Sequence, residues 1–187
     1  MKLILASASP RRKEILLKNG YDFEIIPSGY NENILNMEYS SNLVENCAYN
    51  KASDVAKKQN GDFVVIGADT VVVFNNKILG KPKDYQEAHI MLKALSDNKH
   101  FVATSVCLIN SKGKVVKDTE ITSVTFRKLT EDDIDSYILY HNPLDKAGSY
   151  GIQDKGFDFA VNVEGELDNV IGFPSKLFKK LLVSIGE

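Results

Sequence analysis

The segment 63–74 constrains the fold more than any other part of the chain, because it is a nearly continuous run of β-forming residues. Its apolar stretches, 64–66 and 71–73, are typical of a strand that is buried on both faces. Between them, the polar positions of 67–70 predict an interruption of the strand. Helical patterns alternate with strand patterns along the rest of the chain, so we predict an α/β fold.

The other predicted elements follow from hydrophobic periodicity and from cap and turn residues. Further strands are expected at 3–6, 23–26, 101–109, 115–129, 157–163 and 169–171. Helices are expected at 10–20, 43–58 and 84–95, in a segment capped by Thr130, and in a C-terminal segment opened by Pro174. The chain has 187 residues and is 43% hydrophobic, enough for one domain or one domain with two lobes around a cleft. We therefore expect a single domain over 1–187.

Composition argues against several classes of partner. The net charge of −2 and the pI of about 6.0 provide no general basic field, so neither nucleic acid nor an anionic membrane is expected as a main partner. No apolar run reaches the roughly 18 residues that predict a membrane-spanning helix. The two cysteines, Cys47 and Cys107, form no metal-binding motif, and such sparse use of cysteine favours a cytoplasmic protein.

The motif at 7–13 places cations at the start of a predicted helix. Ser9 is expected to cap this helix, and Pro10 suits its first position. Arg11, Arg12 and Lys13 then occupy the first turn, where each positive charge opposes the helix dipole at a cost of up to about 1 kcal/mol. A bound polyanion such as a phosphate group would turn that cost into a gain. The motif therefore predicts an anion site.

Asp69 is the most informative carboxylate, since it lies between two apolar stretches that are expected to be buried. It is either a functional carboxylate or a strand-end residue that caps a turn. Lys81 does not belong to a phosphate-binding P-loop, because the chain lacks that glycine-rich pattern. Taken alone, both Lys81 and Lys51 are better explained as lysines on a solvated surface, and Glu32 in a polar loop is uninformative.

A glycine-spaced segment at 145–156 is rich in side-chain donors, and its glycines would let backbone approach a ligand closely. An ordinary turn-rich connection remains the alternative. The three histidines, His89, His100 and His141, have no metal-ligand spacing.

Together these segments resemble the Maf family of nucleotide pyrophosphatases. The resemblance rests on motifs in the family's order: SASPRRK (7–13), Glu32, NKA (50–52), GADT (67–70), GKP (80–82), DKAGSYGIQ (145–153) and NVIGFP (169–174). It implies an elongated α/β fold like that of inosine triphosphatase, in which a mixed central sheet is flanked by helices and two lobes enclose a substrate cleft. It also implies hydrolysis of nucleoside triphosphates to the monophosphate and pyrophosphate with a divalent metal, Mg²⁺ or Mn²⁺.

The resemblance also implies roles for individual residues. Asp69 would accept a proton from the attacking water or would ligate the metal, and Glu32 would be a further metal ligand. Substrate-binding roles fall on Ser9, Arg11, Arg12, Lys51, Thr70, Lys81 and Gln153. Arg11, Thr70 and Gln153 match the branch of the family that acts on dTTP and UTP, and the Gln153 amide can pair with part of a pyrimidine edge. Two positions depart from the family pattern: Asn31 precedes Glu32 where aspartate is frequent, and Phe173 replaces leucine.

Two further expectations concern partners and alternatives. Because family members are often dimers, a homodimer is expected. The family is also linked to septum formation, so a nucleotide-binding regulator of cell division is the alternative function. Such a regulator needs a cationic cleft but not carboxylates, so Asp69 and Glu32 favour an enzyme. The choice among dTTP, UTP and modified pyrimidine nucleotides remains open at this point.

Overall fold

A mixed sheet of seven strands forms the centre of the computed structural model, which describes residues 1–31 and 34–186. In chain order the strands are β1 (Lys2–Leu5), β2 (Glu24–Ile25), β3 (Phe63–Phe74), β4 (Lys77–Leu79), β5 (Lys99–Asn110), β6 (Val115–Phe126) and β7 (Ala160–Glu164). Their order across the sheet is β2-β1-β3-β5-β6-β7, with β4 pairing with β3. Strand β1 is parallel to β2 and β3, and the remaining pairs are antiparallel.

Helices cover both faces of this sheet. They are α1 (Pro10–Lys18), α2 (Ser41–Ala56), α3 (Tyr85–Leu95), α4 (Glu131–Tyr140), α5 (Leu167–Ile171) and α6 (Ser175–Gly186), with short 3₁₀ turns at Pro143–Asp145 and Ala147–Ser149. Among the described residues, no helix combines the length and the apolar character that crossing a membrane requires.

Alternate residues of β3 pack against different helices, as the period of two in a strand requires. Ile66 packs in one cluster with Leu16 of α1 and Phe178 of α6. Val65 packs in another cluster with Ala48 and other residues of α2. Strand β3 is thus buried on both faces, as the sequence predicts, and the mixed α/β class is confirmed.

Three local predictions need correction. Strand β3 is not interrupted at 67–70, because those residues pair in unbroken antiparallel register with 104–107 of β5. The segment 169–171 is not a strand but the end of helix α5, which stops at Gly172 with a φ of 125°. Strand β7 begins at Ala160 rather than at Phe157.

The register of β3 leaves part of one edge open. Residues 63–66 pair with β1, and residues 72–74 pair with β4 on the same side of the strand. Between them, within the described part of the chain, 67–71 have no strand neighbour on that edge. Side chains of both faces are therefore accessible from one opening, and Asp69 and Thr70 lie there.

Candidate active site

A cleft of about 650 Å³ lies at the open edge of β3. Its walls come from the start of α1, the middle of α2, the turn that follows β4, the loop at 145–153, and the end of α5. The cleft brings together every site residue predicted from the sequence except one: Ser9, Arg11, Arg12, Lys51, Asp69, Thr70, Lys81 and Gln153. The exception is Glu32, which lies outside the described residues.

A buried ion pair joins the wall formed by α2 to β3. Lys51 Nζ donates to Asp69 Oδ1 over 2.6 Å, and Asp69 is only 4% exposed. Gly67 makes this contact possible, because a Cβ atom there would overlap the carbonyl oxygen of Ala48 and lie 2.7 Å from the amide nitrogen of Ala52. Glycine thus lets α2 approach β3 closely. Their mutual attraction offsets part of the cost of removing the two charges from water.

The Arg12 guanidinium is held by acceptors from three different segments. Its Nε donates to the Gly172 carbonyl over 3.1 Å, one terminal nitrogen donates to Ser7 Oγ over 3.0 Å, and the other donates to Thr70 Oγ1 over 3.2 Å. These bonds compensate part of the cost of a cation in the first turn of α1, so a bound anion is not needed to explain its presence. Ser9 stands at the N-cap position, but its side chain makes no capping hydrogen bond, so that detail of the prediction is wrong.

Arg11 reaches across the cleft to the opposite wall. Its guanidinium donates to Asp145 Oδ2 and to the Asp145 carbonyl, each over 3.0 Å. Lys146 Nζ donates to Asp145 Oδ1 over 3.0 Å and to the Asn142 carbonyl over 2.5 Å. Partial burial raises the pKa of Asp145, but the hydrogen bonds from Lys146 and Arg11 outweigh it, and the net pKa is lowered. Asp145 is therefore an anionic link between two cationic side chains.

Lys81 and Gln153 are the exposed members of the site. Among the described residues, neither side chain makes a hydrogen bond or an ion pair, so both can turn toward a ligand. The loops that carry them are tied together, because the Gly148 amide donates to the Gly80 carbonyl over 3.0 Å. Gly148 has a φ of +66°, and a Cβ atom there would lie 2.8 Å from a methyl group of Val72. Glycine is required at this position for both reasons.

The turn that carries Gln153 is anchored from beneath. Tyr137 OH donates to Asp154 Oδ2 over 2.6 Å and accepts from the Gly151 amide over 2.8 Å. Burial, followed by the bond to Asp154, raises the pKa of Tyr137, so its hydroxyl stays protonated and remains a donor. This anchor fixes the backbone on both sides of Gln153.

Several residues of the site were not singled out from the sequence. Ser7 and the Gly172 carbonyl hold Arg12, and Asp145, Lys146 and Tyr150 line the opposite wall. Ser7 belongs to the predicted anion motif, and the other three side chains belong to the glycine-spaced segment, so the motifs themselves contained the signal. Nothing in the sequence distinguishes the Gly172 carbonyl, since its role depends on where α5 ends.

Asp69 is the one described residue among the metal ligands that the sequence predicts, and it lines the cleft. No group of three metal-ligating side chains occurs among residues 1–31 and 34–186. However, Mg²⁺ is commonly held by one or two carboxylates together with substrate phosphates. Asp69 supplies such a carboxylate at the cleft wall, whereas the other predicted ligand, Glu32, is not described.

Comparison with solved structures places the fold in a known class. The HAM1 protein of Coxiella burnetii aligns with a TM-score of 0.55 at 14% identity, covering 100% of this chain and 98% of that one. The Ham1 protein of Staphylococcus aureus aligns with a TM-score of 0.51 at 12% identity, covering 98% of this chain and 99% of that one. At such low identity the likeness concerns the fold alone.

Sequence comparison identifies the family. The Maf-like protein family matches residues 2–185, and the chain belongs to it. A relative from Bacillus thuringiensis subsp. konkukian is 48% identical over 181 residues, which cover 96% of this chain and 94% of the relative. A relative from Bacillus cereus is 49% identical with the same coverage. Both relatives are named dTTP/UTP pyrophosphatase.

Proposed function

We propose that this protein hydrolyses dTTP and UTP to the nucleoside monophosphate and pyrophosphate. Modified pyrimidine nucleoside triphosphates are further candidate substrates. The observation that carries the proposal is the buried Lys51–Asp69 pair beside Arg12 in one cleft. The names of the relatives, at 48% and 49% identity over 96% of the chain, support the same reaction. A cleft of about 650 Å³ is within the usual size of small-ligand sites.

Asp69 acts as the proton acceptor in this proposal. The oxygen of a water molecule bonds to the α-phosphorus, and the bond from the α-phosphorus to the bridging oxygen breaks. Pyrophosphate leaves with that electron pair, and the water proton passes to the Asp69 carboxylate. Protonation of Asp69 would remove the negative charge beside the Lys51 ammonium, which would then attract a phosphate oxygen more strongly.

Three cationic side chains would neutralise the negative charge of the triphosphate. Arg12 offers planar donors suited to phosphate oxygens, and Lys51 and Lys81 provide point charges on other walls of the cleft. Ser9 lies beside the amide groups at the start of α1, where helices commonly bind phosphate. A divalent metal, Mg²⁺ or Mn²⁺, would be held by Glu32 and would neutralise phosphate charge when bound; in the alternative in which Asp69 is not the proton acceptor, Asp69 would be a further ligand.

Base selection is assigned to the wall opposite α1. The Gln153 amide offers both a donor and an acceptor, which suits the edge shared by thymine and uracil. Arg11 and Thr70 complete the set that marks the pyrimidine branch of the family. A homodimer is included in the proposal on the strength of the family resemblance, and a cytoplasmic location on the sparse use of cysteine.

Product analysis tests the reaction directly. The purified protein is incubated with dTTP, UTP, dCTP, dATP and dGTP, with Mg²⁺, Mn²⁺ or EDTA, and the products are separated by anion-exchange chromatography. We expect dTMP and UMP with pyrophosphate, only when metal is present. Diphosphate with orthophosphate would place the attack at the γ-phosphorus and contradict the proposal. Binding of nucleotide without any turnover would instead favour the alternative of a cell-division regulator.

A further inference from the structure

A chain of hydrogen bonds runs from Arg12 away from the cleft into the core. Arg12 donates to Thr70 Oγ1 over 3.2 Å, and Thr70 Oγ1 lies 3.0 Å from Thr104 Oγ1. Thr104 Oγ1 in turn donates to the Asn169 carbonyl over 3.1 Å. Thr70 and Thr104 are cross-strand partners in β3 and β5. Thr104 is fully buried and does not line the cleft, so it can influence a substrate only through its neighbours.

The number of hydroxyl protons determines which group donates at each step of this series of hydrogen bonds. Each threonine hydroxyl has one proton, and that of Thr104 is used toward the Asn169 carbonyl. Thr104 Oγ1 can then only accept from Thr70, so the Thr70 proton points toward Thr104 and the Thr70 lone pairs remain available to the Arg12 N–H group. Hydrogen bonds aligned in this way strengthen one another in a buried setting. The Gly172 carbonyl, which accepts from Arg12, also lies within hydrogen-bonding distance of Thr70 Oγ1, at 3.3 Å. Thr104 and this carbonyl therefore compete for the single Thr70 proton, and without Thr104 the proton would go to the carbonyl alone.

The Asn169 end of this series of hydrogen bonds is fixed to the sheet. The Asn169 side-chain nitrogen donates to the Val102 carbonyl and to Thr122 Oγ1, each over 3.0 Å, and Asn169 is fully buried. The Asn169 carbonyl also accepts from the Gly172 amide over 3.1 Å. The same anchored segment therefore supplies both the Asn169 carbonyl, which ends the series of hydrogen bonds, and the Gly172 carbonyl, which accepts from Arg12.

We propose that Thr104 is a positioning residue that sets the orientation of the Arg12 guanidinium through the Thr70 hydroxyl. Asn169 anchors the segment against which both act. The inference rests on the proposed function, in which Arg12 binds the triphosphate. A fixed guanidinium meets the phosphate oxygens without first losing freedom of rotation, and such pre-organisation strengthens binding and favours the reactive geometry.

The matched pair of variants is Thr104→Val and Ser105→Ala. Ser105 is also fully buried on β5, but its hydroxyl lies 2.7 Å from Thr119 Oγ1 on the opposite face of the sheet. Each variant removes one buried hydroxyl, and only the first lies in line with Arg12. We expect Thr104→Val to lower kcat/KM for dTTP roughly tenfold. Ser105 is the cross-strand partner of Asp69, so this control is compared by substrate-analogue affinity, which should stay within about twofold of the wild type for Ser105→Ala.

A double-mutant cycle separates positioning from a general structural role. The readout is the affinity for dTTP with a methylene bridge between its α- and β-phosphorus, measured by calorimetry, for Arg12→Ala, Thr104→Val and the double variant. We expect Thr104→Val to weaken binding of the analogue roughly tenfold when Arg12 is present. In the Arg12→Ala background it should cause less than about a twofold change. Equal loss in both backgrounds, or an equal loss in Ser105→Ala, would overturn the inference.

Two additions keep the test decisive. Thr104→Ser restores the hydroxyl and should restore affinity, and Thr104→Ala replaces Thr104→Val if thermal melts show that valine is not accommodated. Wild-type protein that binds the analogue but releases no pyrophosphate from dTTP would contradict the proposed function. The affinity cycle would still decide the role of Thr104 in that case, so the two failures are distinguishable.

Discussion

Asp69 forms a buried ion pair in the cleft and is the proton acceptor in the proposed function. It is 4% exposed and lies 2.6 Å from Lys51. Removing one partner from a buried ion pair leaves an uncompensated charge, which is usually far more costly than removing a surface charge. Substitutions at Asp69 therefore have to preserve shape if function is to be read separately from folding.

Asp69→Asn preserves shape and removes the proton acceptor. We expect kcat for dTTP to fall by roughly 10²- to 10⁴-fold. The affinity for the methylene-bridged analogue should be retained, because removing a negative charge does not add repulsion toward the phosphates. Steady-state kinetics and calorimetry measure the two effects. Asp62→Asn, at an exposed carboxylate, is the control and should leave kcat unchanged. Near wild-type turnover of Asp69→Asn would make Asp69 a structural residue.

Gln153→Glu tests whether the Gln153 amide recognises the pyrimidine base. The carboxylate has no donor and would face a base carbonyl, so kcat/KM for dTTP and UTP should fall roughly 5- to 150-fold, the equivalent of about 1–3 kcal/mol. Purine nucleotides, which do not use this contact, should lose less. Gln86→Glu on the exposed surface of α3 serves as the control. A uniform loss across all bases would assign Gln153 to loop structure or phosphate positioning.

At the scale of elements, the close approach of α2 to β3 decides the geometry of the site. Gly67 faces α2 two residues before Asp69, and the backbone of the α2 residues Ala48 and Ala52 lies against it. Lys51 is carried by the same turn of α2, so the spacing between helix and strand sets the Lys51–Asp69 distance. One glycine thereby couples the packing of an element to an ion pair.

Gly67→Ala should push α2 away from β3. Because the contacts are with backbone atoms, which cannot rotate aside, we expect a loss of about 1–3 kcal/mol or more in the free energy of unfolding. A loss of kcat should accompany it, as Lys51 moves from Asp69. Urea denaturation and kinetics measure both. Gly29→Ala is the matched control, since among the described residues its Cβ would meet only Asp54 Oδ2, at 3.8 Å. Unchanged stability in Gly67→Ala would show that α2 can shift freely.

At the scale of the whole molecule, a buried histidine links folding to pH. His100 is 3% exposed, and its Nε2 lies 2.8 Å from Tyr150 OH. Burial lowers the pKa of His100 to about 4, below the 6.5 of an exposed histidine. Between these values the unfolded chain binds more protons than the folded one, so stability falls as the pH drops through this window.

His100→Gln should remove this pH dependence. Relative to the variant, the wild type should lose about 3 kcal/mol in the free energy of unfolding as the pH falls from 6.5 to 4. Above pH 7 the difference between the two proteins should not change with pH. Urea denaturation of both proteins across this range gives the difference, which cancels the contribution of the carboxylates. His89→Gln, at a partly exposed histidine beside Glu131, provides the comparison. Parallel pH profiles for wild type and His100→Gln would contradict the burial argument.

Several features that depend on residues close in sequence could be predicted without the structure. Periodicity predicted the α/β class and the major helices, because the spacing of apolar residues decides which face of an element can be buried. Thr130 correctly predicted the start of α4, where it forms a capping box with Asp133. The motifs also named the residues that meet in the cleft, although they could not provide the distances between them.

Tertiary structure decided whatever depends on partners distant in sequence. Strand β3 continues through 67–70 because β5 pairs with it, although the local sequence predicts a break. Val170 and Ile171 favour a strand locally, yet they lie in α5, whose Asn169 is bound to β5 and β6. Hydrogen-bond partners such as Asp145 for Arg11 have no local signature either. Local propensities amount to tenths of a kcal/mol per residue, and long-range pairing and burial readily outweigh them.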